Sequence, residues 1–156
     1  MRTAVRLSAI VLLAAPVFAA DHPDFRLWKA GELTRRDTAL SKNVGPDHSA
    51  RETLADFGDH RVRFLYRNAD GFPEQHDTIV DLVFVQSGEG VLQLGGTMID
   101  KKATSGPGEY AGSRLDGGSR HPLAAGDVIH IPAAVPHAFL VTKGQHLTYV
   151  LVKFPE

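Results

Sequence analysis

Residues 61–67 carry the most regular alternation of apolar and polar side chains in the chain. Val62, Phe64 and Tyr66 fall on one face of this segment, and three arginines fall on the other face. A repeat of two residues is typical of a β-strand with one buried face. The pattern therefore predicts an amphipathic strand over residues 61–67.

A second apolar segment follows at residues 79–86. It is almost continuously apolar, and Asp81 is the exception near its start. Such a run is typical of a strand that is covered on both faces. The glycine-bounded residues 87–90 predict a tight turn, and residues 91–94 are expected to return beside the first strand as a hairpin.

The C-terminal third predicts three further strands, at residues 127–131, 137–142 and 145–154, with a hairpin turn at residues 143–144. Residues 100–120 are rich in glycine, serine and charge, and they predict a long loop that is either a lid or simply mobile. Many short strands without βαβ alternation predict an all-β barrel or a double-sheet jelly roll.

The segment before these strands has a different pattern. A mixed apolar face over residues 24–42 predicts a helix that Asp24 could cap. Residues 49–57 predict a further short helical turn, because Ser49 and a glutamate three residues later have capping-box spacing. We therefore expect a helical N-terminal extension over residues 20–60 and a barrel domain over residues 61–156.

The first 19 residues predict a signal peptide. Arg2 and Arg6 precede an apolar run over residues 7–17, and a small residue, Ala19, offers a cleavage position. The alternative, a membrane anchor, is disfavoured because the run is shorter than the ~20 residues that a membrane span needs. We expect a mature protein that is periplasmic or secreted and has no membrane association after cleavage.

Composition narrows the functional classes. The chain has 156 residues, a net charge of −1 and no cysteine. This length suits one domain with a sizeable core. The near-neutral charge does not indicate nucleic acid as a partner. The lack of cysteine excludes disulfides, thiolate metal sites, a cysteine nucleophile and a lipoprotein anchor.

Candidate metal-binding chemistry lies close to the two apolar segments. Glu74 and His76 are two residues apart, so on a strand they face the same side. Asp81 is five residues beyond His76, and the two can converge only if the chain bends or bulges between them. His137 follows a proline, which stiffens its approach. A histidine taken alone is more often structural, so the grouping matters more than any single residue.

Residues 74–90 and 126–137 resemble the two sequence motifs of the cupin superfamily. In the first motif, Glu74 and His76 stand at the positions of a paired histidine motif, and Asp81 stands at that of a glutamate. The other matching positions are Gly88 in the first motif and Gly126, Pro132 and His137 in the second. The resemblance implies a double-stranded β-helix, or jelly-roll, barrel whose mouth brings these side chains together. It also implies a homodimer.

The predicted ligand set is Glu74, His76, Asp81 and His137. Two imidazoles with carboxylate oxygens suit a borderline divalent ion, and the extra carboxylate favours Fe(II) or Mn(II), with Zn(II) or Ni(II) as alternatives. Glu74 or Asp81, if it is not bound to the metal, is the predicted catalytic proton-transfer group. Glu74 could instead be a residue of the rim.

Three functions remain open from the sequence. The first is a metal-dependent enzyme that acts on a small molecule, such as an oxidoreductase of the dioxygenase type, an isomerase or a lyase. The second is a non-catalytic cupin that binds a small molecule or a sugar, since a fold does not fix a function. The third is a structural or storage protein without an active metal. Turnover that depends on metal separates the first from the second.

Overall fold

A computed structural model describes residues 21–156, and in this part of the chain one helix precedes twelve strands. The predicted signal peptide at residues 1–19 lies outside the described residues. Within them, the helix is too short and too polar to cross a membrane. The elements are α1 Ala30–Leu40, β1 Ser49–Asp56, β2 Arg61–Arg67, β3 Glu74–His76, β4 Ile79–Leu94, β5 Thr97–Ile99, β6 Lys102–Ala103, β7 Glu109–Ala111, β8 Arg114–Asp116, β9 Ser119–Ala124, β10 Val128–Ile131, β11 His137–Leu140 and β12 Leu147–Pro155.

Strand β4 is the central strand of the main sheet. Its first half pairs with β10 and β12, and its second half pairs with β9 and β11. Every pairing is antiparallel, and β12 continues to β2 and β1 at one edge while β11 continues to β3, β7 and β6. The predicted strand over residues 61–67 is confirmed as β2, and the three C-terminal strands lie close to their predicted positions.

The predicted hairpin at residues 87–90 is wrong, because β4 continues through these residues. The pairing with β12 skips Gln86, and Gly88 has a φ of 76°. This bulge bends the strand so that it can leave one set of partners and join another. A side chain at Gly90 would lie 2.8 Å from the carbonyl oxygen of Leu140, so this position requires the close approach that glycine permits. The glycines bend a long strand rather than reverse the chain.

The predicted helical turn over residues 49–57 is also wrong, because these residues form β1. Seven of the eight residues of β1 pair with β2, and Leu54 is skipped at a bulge. The edge of β2 offers backbone hydrogen bonds along the whole segment, and these outweigh a local capping signal. The helix is shorter than predicted: it begins after Lys29, which makes no side-chain cap, so Asp24 does not cap it.

A polar contact attaches α1 to the barrel. The carboxylate of Asp37 accepts hydrogen bonds from Ser87 Oγ at 2.7 Å and from Thr148 Oγ1 at 2.8 Å. Thr148 is fully buried. Arg36 adds ion pairs with Glu32 and Glu52. The helix therefore packs over the bend of β4 through side-chain hydrogen bonds, although none of its own residues is buried.

Residues 100–120 are not the long loop that the composition predicted. They contain β6, β7, β8 and the start of β9, joined by turns at glycines such as Gly108 and Gly117, which have positive φ. The predicted hairpin at residues 143–144 is wrong as well, because β11 and β12 pair with different halves of β4. The turn there carries the chain from one half of β4 to the other.

The main core lies inside the barrel, between the two halves of β4. Val83 and Val85 point inward from β4 and are buried with residues from five other strands, β2, β9, β10, β11 and β12. Asp81 precedes Val83 by two residues, so it faces the same interior. The inward face of β4 therefore carries a carboxylate at Asp81 and an apolar core side chain at Val83, the next inward-facing position.

Candidate metal and acid–base centre

The structure brings the four predicted site residues together at one end of the barrel interior. The ligand atoms of Glu74, His76 and His137 all lie within 4.8 Å of one another. Asp81 Oδ2 lies 3.6 Å from His76 Nε2 and 3.5 Å from His137 Nε2. Their convergence is thus an observed property of the fold, while their role as ligands stays a prediction.

Three neighbouring strands create this convergence. His137 opens β11 directly opposite Glu74 in β3, and the chain bends between His76 and Asp81 as it passes from β3 to β4. The loop before β11 is tied to the site, because the Ala134 N–H donates to the carbonyl oxygen of His76 at 2.6 Å. Ala134 has a φ of 61°, which is a left-handed conformation that glycine adopts more easily.

Each imidazole is held by its Nδ1 atom. His76 Nδ1 lies 2.6 Å from Glu109 Oε2, and His137 Nδ1 lies 3.0 Å from the carbonyl oxygen of Val135. Both rings are almost fully buried. An Nδ1–H that donates to an oxygen leaves Nε2 with a free lone pair, and this is the usual state of a metal-binding histidine. Both Nε2 atoms face Asp81 and the interior.

A lysine completes the cluster. Lys153 Nζ lies 2.6 Å from His76 Nε2, 3.0 Å from Asp81 Oδ1 and 3.2 Å from Asp81 Oδ2. Its side chain is 17% exposed. The short contact with His76 is a hydrogen bond that the ammonium donates to an unprotonated Nε2. The lysine therefore uses the same lone pair that a metal ion would need.

Opposing effects set the ionisation of the two central groups. Burial on its own would raise the pKa of Asp81, but the two imidazoles and the Lys153 ammonium outweigh it and hold this pKa far below its ordinary value. Burial would lower the pKa of His76, but the carboxylates of Asp81 and Glu109 outweigh burial and raise it, against the charge of Lys153. Asp81 is therefore an anion. A proton and the Lys153 ammonium compete for the lone pair of His76 Nε2.

The donors present fit a divalent metal ion. They supply two imidazole nitrogens and the carboxylate of Glu74, with Asp81 beside both rings. Asp81 Oδ1 is buried and accepts no well-directed hydrogen bond within the described residues, although Lys153 Nζ is 3.0 Å away. An oxygen in this state is available to a cation. The fit requires that Lys153 leave His76 Nε2.

A cavity opens from this centre toward the solvent. Leu65, Phe139 and Tyr149 form part of its wall. Arg63 and Arg67 also line the cavity, as do the acidic residues Asp47, Glu74 and Asp81. The ion pairs within the described part of the chain include neither of these two arginines, and Arg67 Nε is buried without a hydrogen-bond partner. The wall therefore combines apolar side chains with side chains of both charges.

Sequence reasoning missed Glu109 and Lys153. Glu109 lies in the segment that was predicted to be a loop, where no pattern marks it. Lys153 carried a readable signal: Tyr149 and Leu151 precede it on the same face of the last strand, so a repeat of two residues points its side chain inward. A lysine at an inward position beside a buried aspartate is a reason to look for an ion pair.

Comparisons with known proteins agree on the fold. No protein-family model matches the sequence, and no curated protein sequence matches it either. Among solved structures, the chain is similar to KdgF from Halomonas sp., with 18% identity, a TM-score of 0.51 and coverage of 72% of this chain and 84% of KdgF. It is also similar to a cupin-2 domain protein from Rhodospirillum rubrum, with 16% identity, a TM-score of 0.51 and coverage of 70% and 61%.

A third similar structure is Pac13, which is described as a nucleoside dehydratase and is also known from Streptomyces in a form with uridine. The identity is 14%, the TM-score is 0.51, and the match covers 71% of this chain and 72% of Pac13. Because the identities are this low, these likenesses establish the fold and leave the activity open. The antiparallel barrel, its two motifs and these neighbours together show that the chain has the cupin fold.

Proposed function

We propose that this chain is an exported enzyme that acts on a small molecule and binds a divalent metal ion through Glu74, His76 and His137. One observation carries the proposal: three donor atoms from two strands lie within 4.8 Å of one another, and both imidazoles are fixed through Nδ1. Side chains fixed in this way are typical of metal sites, in which surrounding groups orient the ligands. A bound ion would supply Lewis-acid polarisation of a substrate oxygen.

The protein's own groups divide the remaining work. Glu74 is half exposed at the cavity mouth, so it can reach a substrate and exchange a proton with it. Asp81 is a poor base, because its pKa is held far below the ordinary value, and it acts instead as a fixed negative charge. Lys153 balances that charge. One oxygen of the Glu74 carboxylate is assigned to the metal ion. We therefore assign proton transfer to the other oxygen of Glu74, and electrostatic positioning to Asp81.

This division of roles between Glu74 and Asp81 favours an isomerase or lyase reaction over other reactions of the cupin fold. Such reactions need a base, an electrophile that stabilises the resulting negative charge, and exclusion of water. A dehydratase among the similar structures is consistent with elimination chemistry on this scaffold. Arg63 and Arg67 in the cavity wall favour a substrate with a carboxylate or another anionic group. Activity screens should therefore begin with small carboxylic acids and Fe(II) or Mn(II).

A non-catalytic binding protein is the second candidate. The observation that favours it is the Asp81–Lys153 ion pair, because this pair neutralises the buried carboxylate without any metal. In that case the cavity would hold an anionic small molecule, and no metal would be needed for binding. Metal-dependent turnover separates the two candidates.

Metal content is the primary test. The mature protein is purified without chelators, incubated with Fe(II), Mn(II), Zn(II) or Ni(II), desalted and measured by plasma mass spectrometry. We expect close to one ion per chain in the parent and a loss of at least about tenfold in a His76→Ala/His137→Ala variant. His130→Ala is the matched control, since His130 is an exposed histidine of β10. Equal metal content in the parent and the double variant would refute the proposed site.

Export and assembly are tested separately. Expression of the full-length chain in a bacterium should yield a mature protein in the periplasm or medium, with an N-terminus that follows Ala19. Mass spectrometry of the intact protein measures this cleavage. Light scattering coupled to size exclusion measures the mass in solution, for which we expect a homodimer.

A further inference from the structure

We propose that Lys153 is a built-in competitor for the metal ion, so that metal binding requires the ammonium to leave His76 Nε2. This inference deepens the proposed function and rests on it. The observation is the 2.6 Å contact between Lys153 Nζ and His76 Nε2. An imidazole Nε2 has one lone pair, and it cannot bind a metal at about 2.1 Å while it accepts a hydrogen bond from a lysine.

The surrounding charges strengthen the competition. Asp81 is a buried carboxylate that lies within 3.6 Å of both imidazole Nε2 atoms, and Lys153 already pairs with it. A divalent ion and an ammonium a few ångströms apart repel each other, and this repulsion is poorly screened in a buried site. Each cation therefore lowers the affinity of the centre for the other.

The lysine has room to move. Lys153 lies near the end of β12, and its side chain lines the same cavity that opens toward the solvent. A lysine stem has four flexible bonds, and its ammonium is stabilised by water once it reaches the mouth. The displaced state costs the ion pair with Asp81, and the arriving metal replaces that charge.

The competition has a consequence for the protein without metal. If Lys153 were absent, the empty centre would contain a buried carboxylate without a counter-charge, which is strongly unfavourable. With Lys153 in place, Asp81 and His76 both have a partner in the absence of metal. The chain can therefore fold before it meets a metal, and the affinity for the metal is reduced as a result.

The experiment measures Mn(II) affinity directly. Isothermal titration calorimetry on the parent, Lys153→Met and Lys143→Met proteins compares removal of the central ammonium with removal of an exposed lysine of the turn before β12. We expect Lys153→Met to bind Mn(II) at least about tenfold more tightly than the parent, and Lys143→Met to match the parent. Equal or weaker binding by a folded Lys153→Met protein overturns the inference.

A second pair of variants protects the test against misfolding. Lys153→Met leaves Asp81 unpaired, so we also compare Asp81→Asn with Asp81→Asn/Lys153→Met, in which no buried carboxylate remains alone. Removal of the lysine should again tighten Mn(II) binding, because His76 Nε2 becomes free. Circular dichroism and thermal melting without metal check that each protein is folded.

The outcomes separate this inference from the proposed function. If the parent binds Mn(II) and the lysine variants bind no more tightly, the inference fails and the metal site stands. If only the lysine variants bind, the inference holds and the parent is not a metalloprotein. If none of the folded proteins binds Mn(II), both ideas fail, because removal of the competitor must reveal affinity for a metal.

Discussion

Two successive inward-facing pairs on the β4–β12 ladder differ completely in chemistry. Asp81 lies opposite Lys153, and two residues further along the ladder Val83 lies opposite Leu151. All four side chains point to the barrel interior, and three of them are buried with Lys153 mostly buried. The same backbone geometry thus supports an ion pair at one position and a hydrocarbon contact at the next.

The two pairs contribute differently to the stability of the fold. Burial of apolar side chains stabilises a fold by roughly 25 cal/mol for each Å² removed from water. A buried ion pair gives little net stability, because the loss of hydration offsets the attraction between the charges. We therefore expect the Asp81–Lys153 pair to serve the site and the Val83–Leu151 pair to serve stability.

Removal of one partner of the ion pair should have the largest effect on stability. Lys153→Leu leaves the Asp81 carboxylate, which is almost fully buried, without its ammonium counter-charge, and we expect the free energy of unfolding to fall by about 3–5 kcal/mol. Urea denaturation in the presence of a chelator measures this change. The double variant Asp81→Leu/Lys153→Leu replaces the pair by hydrocarbon, and we expect it to recover most of the loss. Equal stability of the single and double variants would contradict this account.

Truncation of the apolar pair should have a smaller but still large effect. Leu151→Ala removes buried methyl groups and leaves a cavity in the core, so we expect a loss of about 3 kcal/mol in the free energy of unfolding. Val128→Ala is the control, since Val128 is 62% exposed. We expect no change in Mn(II) affinity per folded chain. A loss of metal without a loss of stability would show that the two pairs are not separable.

The contribution of the Asp81–Lys153 pair to the free energy of unfolding should depend on pH, and that of the Val83–Leu151 pair should not. The pKa of Asp81 in the folded protein lies far below the value of about 3.9 in an unfolded chain, so the unfolded state binds more protons near this pH. The stability from Asp81 is fully present above about pH 5 and decreases as the pH falls toward the folded pKa. The slope is at most about 1.4 kcal/mol per pH unit.

The control for this titration is the Asp81→Leu/Lys153→Leu protein. Other carboxylates contribute equally to both proteins, so the difference between their unfolding free energies isolates the pair. We expect this difference to change between pH 5 and pH 2 in metal-free buffer. Parallel curves over this range would show that Asp81 is not stabilised as an anion by its neighbours.

The sequence predicted those parts of the fold whose pattern is local. The bounds of the strand predicted at residues 61–67 are those of β2, although Leu65, on the same face as the arginines, is buried in the barrel core. The resemblance to the two motifs predicted that His76 and His137 lie near each other, and the structure places them in one cluster. These signals depend on a few adjacent residues, and tertiary contacts did not override them.

The errors arose where distant contacts decide the structure. Ser49–Asp56 has a capping signal but forms a strand, because β2 offers an open edge. The glycines near residue 88 indicate a turn, but β12 and β9 hold both halves of β4 in one strand. Glu109 reaches His76 across 33 residues of sequence, and no local pattern connects them. The charges that orient the site were therefore the least predictable part.

We expect the smallest effect on stability from a substitution of Glu109. This residue tests whether a change in the metal site can alter metal affinity and leave the stability of the barrel core unchanged. Glu109 is half-buried and contacts His76 Nδ1, far from the Val83–Leu151 pair. Glu109→Gln keeps the shape and a weaker hydrogen bond, so we expect a change of less than about 1 kcal/mol in the free energy of unfolding. We expect Mn(II) affinity to fall by about tenfold, because a carboxylate at Nδ1 fixes the imidazole and increases its basicity. Glu89→Gln, at an exposed position of β4, is the matched control for calorimetry.

The two nitrogens of His76 should respond in opposite ways. We expect Lys153→Met, which changes the contact at Nε2, to tighten Mn(II) binding, and Glu109→Gln, which changes the contact at Nδ1, to weaken it. Opposite changes in affinity at the two nitrogens of one ring would identify His76 as the residue through which the protein sets its affinity for the metal.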